Sequence, residues 1–241
     1  MKKILYHAIA LFFLLTGICF AEQRSVAITI DDLPLIKTPY EAFEKMVNSL
    51  VSHQVPAIGF MIGSRVNNET IKQFEVFKQN GWELGNHSYS HLKLKRVSYE
   101  EYIDDLIQAD KVLAPFMSQP KYFRYPYLSE GKFWKKSIVR HYLSKNNYII
   151  APVTIDSKDF EFNSQLIKLM KQNPQASLTD LKKRYLEYVW QRTLTAEQNT
   201  PGKQVLLIHA NLLNGYFLDD LLRMFEEHGY HFISLSEALK S

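Results

Sequence analysis

Two short segments carry residues whose types and spacing suit metal chemistry: the adjacent carboxylates Asp31-Asp32, and two imidazoles four residues apart in His87-Ser88-Tyr89-Ser90-His91. The Asp pair closes an apolar run, Val26-Ala27-Ile28-Thr29-Ile30. Carboxylates at the end of a buried strand must be paired or metal-bound if they are themselves buried; the ordinary alternative is a solvated turn. The two histidines share one face if their segment turns helically, and otherwise are unrelated polar or packed side chains. Taken together, Asp32, His87 and His91 would offer two imidazoles and one carboxylate and leave positions open for water and substrate. That set suits catalytic zinc, with cobalt, nickel or iron(II) also able to occupy it. An open metal site polarises a carbonyl oxygen and lowers the pKa of bound water.

Three further segments follow along the chain: Phe123-Arg124-Tyr125-Pro126-Tyr127, Asp156-Ser157-Lys158-Asp159-Phe160 and Leu207-Ile208-His209. Each alone has a bland explanation, because an Arg beside aromatics is often a surface stack and a His at a strand end can simply cap it. Their joint order is informative. The five segments together resemble the five motifs of the polysaccharide deacetylase family, carbohydrate esterase family four: a T-F-D-D-G-like segment, H-S/T-x-x-H, R-x-P-Y, D-x-x-D-W and L-x-H. The resemblance runs from residue 26 to residue 209.

The resemblance implies a distorted (β/α) barrel, one divalent metal ion, most often zinc, and hydrolysis of acetamide groups on an N-acetylated polysaccharide or oligosaccharide. It implies that Asp31 is the general base activating metal-bound water, and that Asp32, His87 and His91 hold the metal. Arg124 would orient and electrostatically steady Asp31. The backbone N–H of Tyr127 would help stabilise the tetrahedral oxyanion, and Leu207 would line the pocket for the acetyl methyl. His209 would protonate the departing amine, with Asp159 tuning and orienting it. Amide hydrolysis needs both a base and an acid, expected here on opposite sides of the metal.

Three positions depart from the family pattern. Leu33 stands where Gly is usual, Phe160 where Trp is usual, and Leu128 where Gly is common. All three are expected to alter the groove wall and so to bear on which polymer fits rather than on the reaction type. A glycosidase would need its two carboxylates on facing walls about 5–9 Å apart, which adjacent Asp31 and Asp32 do not suit. The nearest rival is a hydrolase of a small cyclic amide or ureide on the same fold. A non-catalytic carbohydrate-binding relic is a third reading, against which the joint presence of base, acid and three ligands argues.

The elements that must position these residues alternate in type. Apolar, β-rich runs at 26–30, 57–62, 82–85, 122–125, 148–155, 205–209 and 231–235 read as strands. Helical spacing appears at 40–53, 70–79, 99–113, 132–144 and 217–227. Ser98 with Glu101 forms a capping signature, and Asn80-Gly81 a stop. This rhythm predicts parallel βα units, either a barrel or an open doubly wound sheet, with most candidate residues just after strands, where such sheets build their sites. Between the fourth and fifth motifs, residues 165–198 read as a long helical region interrupted at Asn173-Pro174, an elaboration of the barrel expected to border the groove.

Residues 1–21 read as a secretory signal peptide. Lys2 and Lys3 precede an apolar run over 8–20, and Cys19 and Ala21 are small residues at a cleavage site. The chain would then be exported, periplasmic or extracellular, with residues 22–241 forming one catalytic domain. Cleavage would remove the single cysteine of the chain, leaving neither disulfide nor thiolate chemistry. It would also remove two of the 29 basic residues and none of the 25 acidic ones, leaving a formal charge too mild to mark a nucleic-acid or polybasic membrane surface. The expected partner is an N-acetylated glycan, with no nucleic acid and no obligate protein partner evident.

Overall fold

The computed structural model describes residues 24–36 and 38–240, so the signal-peptide reading lies outside the described residues. The strands are β1 (Ser25–Leu33), β2 (Ile58–Met61), β3 (Glu83–Asn86), β4 (Lys121–Phe123), β5 (Tyr148–Ile150), β6 (Ile155–Asp156), β7 (Lys203–His209) and β8 (His231–Phe232). The helices are α1 (Tyr40–Ser52), α2 (Ile71–Gln79), α3 (Tyr99–Leu113), α4 (Phe133–Lys145), α5 (Asp159–Gln172), α6 (Thr179–Asn199), α7 (Leu212–Glu227) and α8 (Leu235–Ala238).

All pairings are parallel, in the order β5-β4-β3-β2-β1-β7-β6, with the short β8 beside the start of β1. The chain lays strands outward from β1 to β5, then resumes on the far side at β6. Only residues 151–154 join β5 to β6, and four residues reach no more than about 3.5 Å each. The two ends of the sheet must therefore curl toward one another, which makes a distorted barrel rather than an open sheet. The run 148–155 is accordingly not one strand: it breaks around Pro152 to cross the seam.

Period-2 alternation decides which side chains meet inside. Ile58, Phe60, Tyr122, Ala151, Val205 and Leu235 form an inner cluster. The opposite parity, including Val26, Ile28, Ile30, Leu84, Leu206 and Ile208, packs under the helices in the main core. Thr29 and Asp31 on β1, Gly85 and then His87 after β3, Arg124 after β4, and Leu207 and His209 on β7 share the inner parity. A Cβ at Gly85 would stand 2.7 Å from the Phe60 ring and 3.0 Å from the Tyr122 carbonyl oxygen, so the inner layer has no room for a side chain there. Leu33 faces the other way. It is fully buried and a Cβ on Gly59 would strike it at 2.2 Å, so it belongs to the core and not, as expected, to the groove wall.

The helical region starts earlier than its periodicity suggests and splits into α5 and α6. Phe162, Leu166, Leu181, Tyr185 and Val189 are buried in the main core, so the pair serves as the outer crossover between β6 and β7. Only the start of α5, through Phe160 and Asn163, lines the cleft. The run 231–235 yields two strand residues before a capping box at Ser234 and Glu237 starts α8.

Candidate active site

Asp31 and Asp32 at the end of β1, His87 after β3, Arg124 after β4, Asp156 ending β6 and His209 ending β7 converge at the carboxyl edge of the sheet. They surround a cleft of about 620 Å³ whose walls include Tyr127 and Leu128 on one side and Phe160, Leu207 and His209 on the other.

One ligand atom each from Asp32, His87 and His91 lie within 4.8 Å of one another. Nε2 of His91 and of His87 are 3.3 and 3.6 Å from Oδ1 of Asp32. A tetrahedral ion with zinc-like bonds holds its ligand atoms about 3.3–3.4 Å apart, close to these separations. Oδ1 of Asp32 is buried and has no hydrogen-bond partner among the described residues, a costly state for a carboxylate oxygen unless a cation meets it. Nδ1 of His87 donates to the Arg124 carbonyl oxygen at 2.8 Å, which fixes the tautomer and turns Nε2 toward Asp32. Burial and neighbouring His87 push the His91 imidazole down to about 4, against the pull of Asp32, so it stays neutral and able to ligate through the neutral range. For Asp32, burial works upward, but His87, His91, His209 and Arg65 together hold its carboxyl below the usual range. These residues fit a divalent ion.

The histidine segment does this without a helix. Residues 87–94 form an irregular loop, with Ser88 and His91 in the left-handed region at φ 69° and 57°. The i, i+4 imidazoles meet because the loop folds back, their ring centroids 4.9 Å apart. The carboxylate of Asp105 on α3 accepts the N–H groups of Tyr89 and Ser90, both at 2.9 Å. Asn86 accepts from the Ser88 N–H at 2.7 Å and donates to the Tyr148 hydroxyl at 2.8 Å, which in turn donates to Asp110. Among the described residues, six of the nine non-glycine residues with positive φ, Asp32, Ser88, His91, Tyr127, Leu128 and Lys158, line or adjoin this cleft. Each such conformation costs about 1–3 kcal/mol and persists only where its surroundings over-determine it. Asp105 and Asn86 are part of that determination for the loop. For Asp32 the determinant is Arg65, whose Nη1 donates to its carbonyl oxygen at 2.6 Å.

Arg124 lies across the seam of the sheet. It is buried among carbonyl groups of the joining segment, with Nε donating to Ala151 at 3.0 Å and Nη2 to Pro152 at 3.1 Å. Nη2 also donates to Thr29 Oγ1 at 3.1 Å, and Nη1 meets Asp31 Oδ1 at 3.3 Å. One guanidinium thus ties the two ends of the barrel and the β1 carboxylate together.

Asp31 and His209 are Cα partners in the β1–β7 ladder. Their backbones are neighbours, not opposite walls, and their side chains diverge. Asp31 turns toward Arg124 and stands 3.6 Å from His87. His209 turns toward Asp159, which is fully buried and accepts from Nδ1 at 2.6 Å and from the His209 backbone N–H at 2.7 Å. Asn211 and Asn214 donate to the same carboxylate at 3.0 and 2.5 Å. Burial alone would depress the His209 imidazole, but the Asp159 carboxylate, with Asp31 and Asp32 beyond it, raises it to about 9. The Phe160 ring stands edge-on to His209 at 5.9 Å, and Tyr127 lies over His91 at 4.6 Å, so both line the cleft as half-exposed aromatics. Leu207 is buried in the floor.

Arg65, Asp105, Asn211 and Asn214 were not evident from sequence. Only Asn211 had a local signal, as a helix-capping residue two positions after His209 whose side chain accepts from Asn214 N–H.

The chain is thus a distorted (β/α) barrel with a candidate Asp/His ligand cluster at the carboxyl edge of its strands. A family model described as polysaccharide deacetylase matches residues 21–148, and the chain belongs to that family. The match stops at Tyr148, so the placement of Asp159 and His209 rests on the fold itself. A peptidoglycan-N-acetylglucosamine deacetylase of Bacillus cereus is 28% identical over 145 residues, 58% of this chain and 47% of the relative. The chain spans about half the length of the curated relatives it matches. Among solved structures, a peptidoglycan deacetylase from Bacillus subtilis superposes with a TM-score of 0.62 at 22% identity, covering 90% of both chains. A CE4-family pseudoenzyme from Bacillus anthracis gives 0.65 at 20% identity, covering 90% of this chain and 66% of that one. The latter two establish the fold.

Proposed function

We propose that the protein is a metal-dependent N-deacetylase that hydrolyses acetamide groups on an N-acetylated glycan, with zinc the ion best suited to its donor set. The observation that carries this reading is the convergence, in one cleft, of the Asp32–His87–His91 ligand cluster with a carboxylate at Asp31 and a carboxylate-supported imidazole at His209. Of the relatives that match, two are named for peptidoglycan-N-acetylglucosamine and one for chitooligosaccharide. Export through the signal peptide would bring the enzyme to such a polymer.

When bound, the divalent ion supplies Lewis acidity that polarises the acetamide carbonyl and favours ionisation of a water molecule. Asp31, oriented by Arg124 Nη1 at 3.3 Å, accepts the proton of the attacking water. The backbone N–H of Tyr127 donates to the developing oxyanion. His209, with Nδ1 committed to Asp159, presents Nε2 to the leaving nitrogen and protonates it as the carbon–nitrogen bond breaks. Acetate and a free amine result. Leu207 and Phe160 border the space for the acetyl methyl and the sugar.

The substrate side is tested by incubating the purified protein with N-acetylated glucosamine oligomers, peptidoglycan glycan strands, and a panel of small cyclic amides and ureides. Acetate and free glucosamine amine are expected from the glycans and no ring opening from the cyclic amides. Ring opening without acetate release would transfer the site to the rival amidohydrolase chemistry. Glycan binding without either product would make the protein a binding relic of the fold.

A further inference from the structure

Three cationic side chains line the cleft: Arg65, Lys93 and Lys158. Two have carboxylate partners within the protein, Arg65 with Asp32 at 3.4 Å and Lys158 with Asp156 at 2.9 Å. The acids of the cleft each have a cationic side chain beside them, Asp31 with Arg124, Asp32 with Arg65 and Asp156 with Lys158. Lys93 has no carboxylate partner among the described residues. Its ammonium lies 5.3 Å from the centre of the Tyr127 ring, the ring that also covers His91. Lys93 is half-buried and its head is held at the mouth over an aromatic face, one ring beyond the ligand cluster.

We infer that Lys93 is a specificity-determining residue that pairs with a carboxylate borne by the glycan, on the sugar that stacks against Tyr127 while the acetamide is in the reaction centre. This rests on the deacetylase reading above. A lone ammonium is a point charge matched by a single negative charge. Phosphate and sulfate groups are best matched by a bidentate guanidinium, and the guanidinium that lines this cleft, Arg65, is occupied by Asp32. Tyr127 supplies the apolar face for the sugar ring, as aromatics with a polar tip do at wet interfaces. The Phe160 wall opposite has its cation neutralised by Asp156, so the preference is one-sided: the carboxylate belongs on the Tyr127 flank.

The test uses an N-acetylated tetrasaccharide with a carboxylate-bearing ether on one sugar, and the same compound as its methyl ester. Binding of both is measured by calorimetry, and acetate release on the same samples. Wild-type protein should bind the acid about tenfold more tightly than the ester, the worth of one charge-assisted hydrogen bond. Lys93→Met should bring that ratio near one by weakening only the acid, leave ester binding unchanged, and appear in KM rather than kcat. Lys93→Arg should restore most of the preference. A wild-type ratio near one, or a ratio that survives in Lys93→Met, overturns the assignment. Lys93-dependent binding of the acid with no acetate released supports the assignment while overturning the hydrolytic reading.

Discussion

Replacing Asp31 with Asn is expected to lower acetate release by about 10²–10⁴-fold or more, the range by which a positioned base accelerates proton transfer, while one metal ion per chain remains bound. Asp31 is 2% exposed, so its carboxylate acts inside the protein and not as a solvated turn. Oδ1 faces Arg124, and Oδ2 lies 3.6 Å from His87 Nε2. That last distance equals the separation of His87 from Asp32, so His87 alone does not say which aspartate ligates. His91 does: its Nε2 is 3.3 Å from Asp32, whose Oδ1 is the buried oxygen without a hydrogen bond. Asn keeps the size of Asp and one acceptor oxygen but cannot take the proton. Metal content and turnover of the variant, measured on one preparation, check the assignment. Loss of the ion in Asp31→Asn would make Asp31 a ligand and leave the base unidentified.

Removing the imidazole of His209 is expected to have a comparably large effect with a distinct signature. His209→Ala should cost about 10²–10⁴-fold on an acetamide and much less on an acetate ester, whose leaving group needs less protonation. The metal should stay, because His209 is absent from the ligand cluster. The pH dependence has a definite sign. Burial opposes the charged imidazolium, but Asp159 and the two cleft aspartates raise His209 to about 9. The donor is therefore protonated below that value, and amide turnover should fall as pH rises through about 9 in the wild type. His209→Ala should erase this alkaline limb. Asp159→Asn should move it toward lower pH by removing the charge that holds the proton. It also places an amide against the donors of Asn211 and Asn214, so a drop in stability should accompany the shift. An alkaline limb that stays in place in His209→Ala would assign it to another group.

Much of this site is legible in the sequence because β-strands alternate. Thr29 and Asp31, Gly85 and His87, Tyr122 and Arg124, and Leu207 and His209 are each two residues apart, so once strands are recognised their inner faces follow. The seam was less legible. The apolar stretch 148–155 is locally β-rich throughout, and only the closure of the barrel shows why it must break and lend its carbonyls to Arg124. His87 and His91 do meet, but through a loop held by Asp105 and Asn86 rather than the helical turn their spacing suggests. Asp105 comes from fifteen or more residues away on another element, and no short-range pattern signals such a contact. Arg65 reaches Asp32 from 33 residues away and is hidden for the same reason, whereas Asn211 shows locally as a helix cap but its bond to Asp159, 52 residues away, does not. Leu33 was misplaced because its motif position suggested a groove residue, whereas the left-handed turn at Asp32 at φ 71° directs the following side chain into the core over Gly59.

The chemistry proposed for this cleft requires that the Asp32–His87–His91 cluster hold one catalytic ion. The most direct measurement strips metal from the purified protein with a chelator and titrates zinc back, following bound zinc and acetate release from an N-acetylated glucosamine oligomer together. Activity should vanish on stripping and return linearly to a break at one ion per chain. In His87→Ala and His91→Ala, neither ion nor activity should return. Acetate release that persists in the stripped protein, or a bound ion that both histidine variants retain, would contradict it.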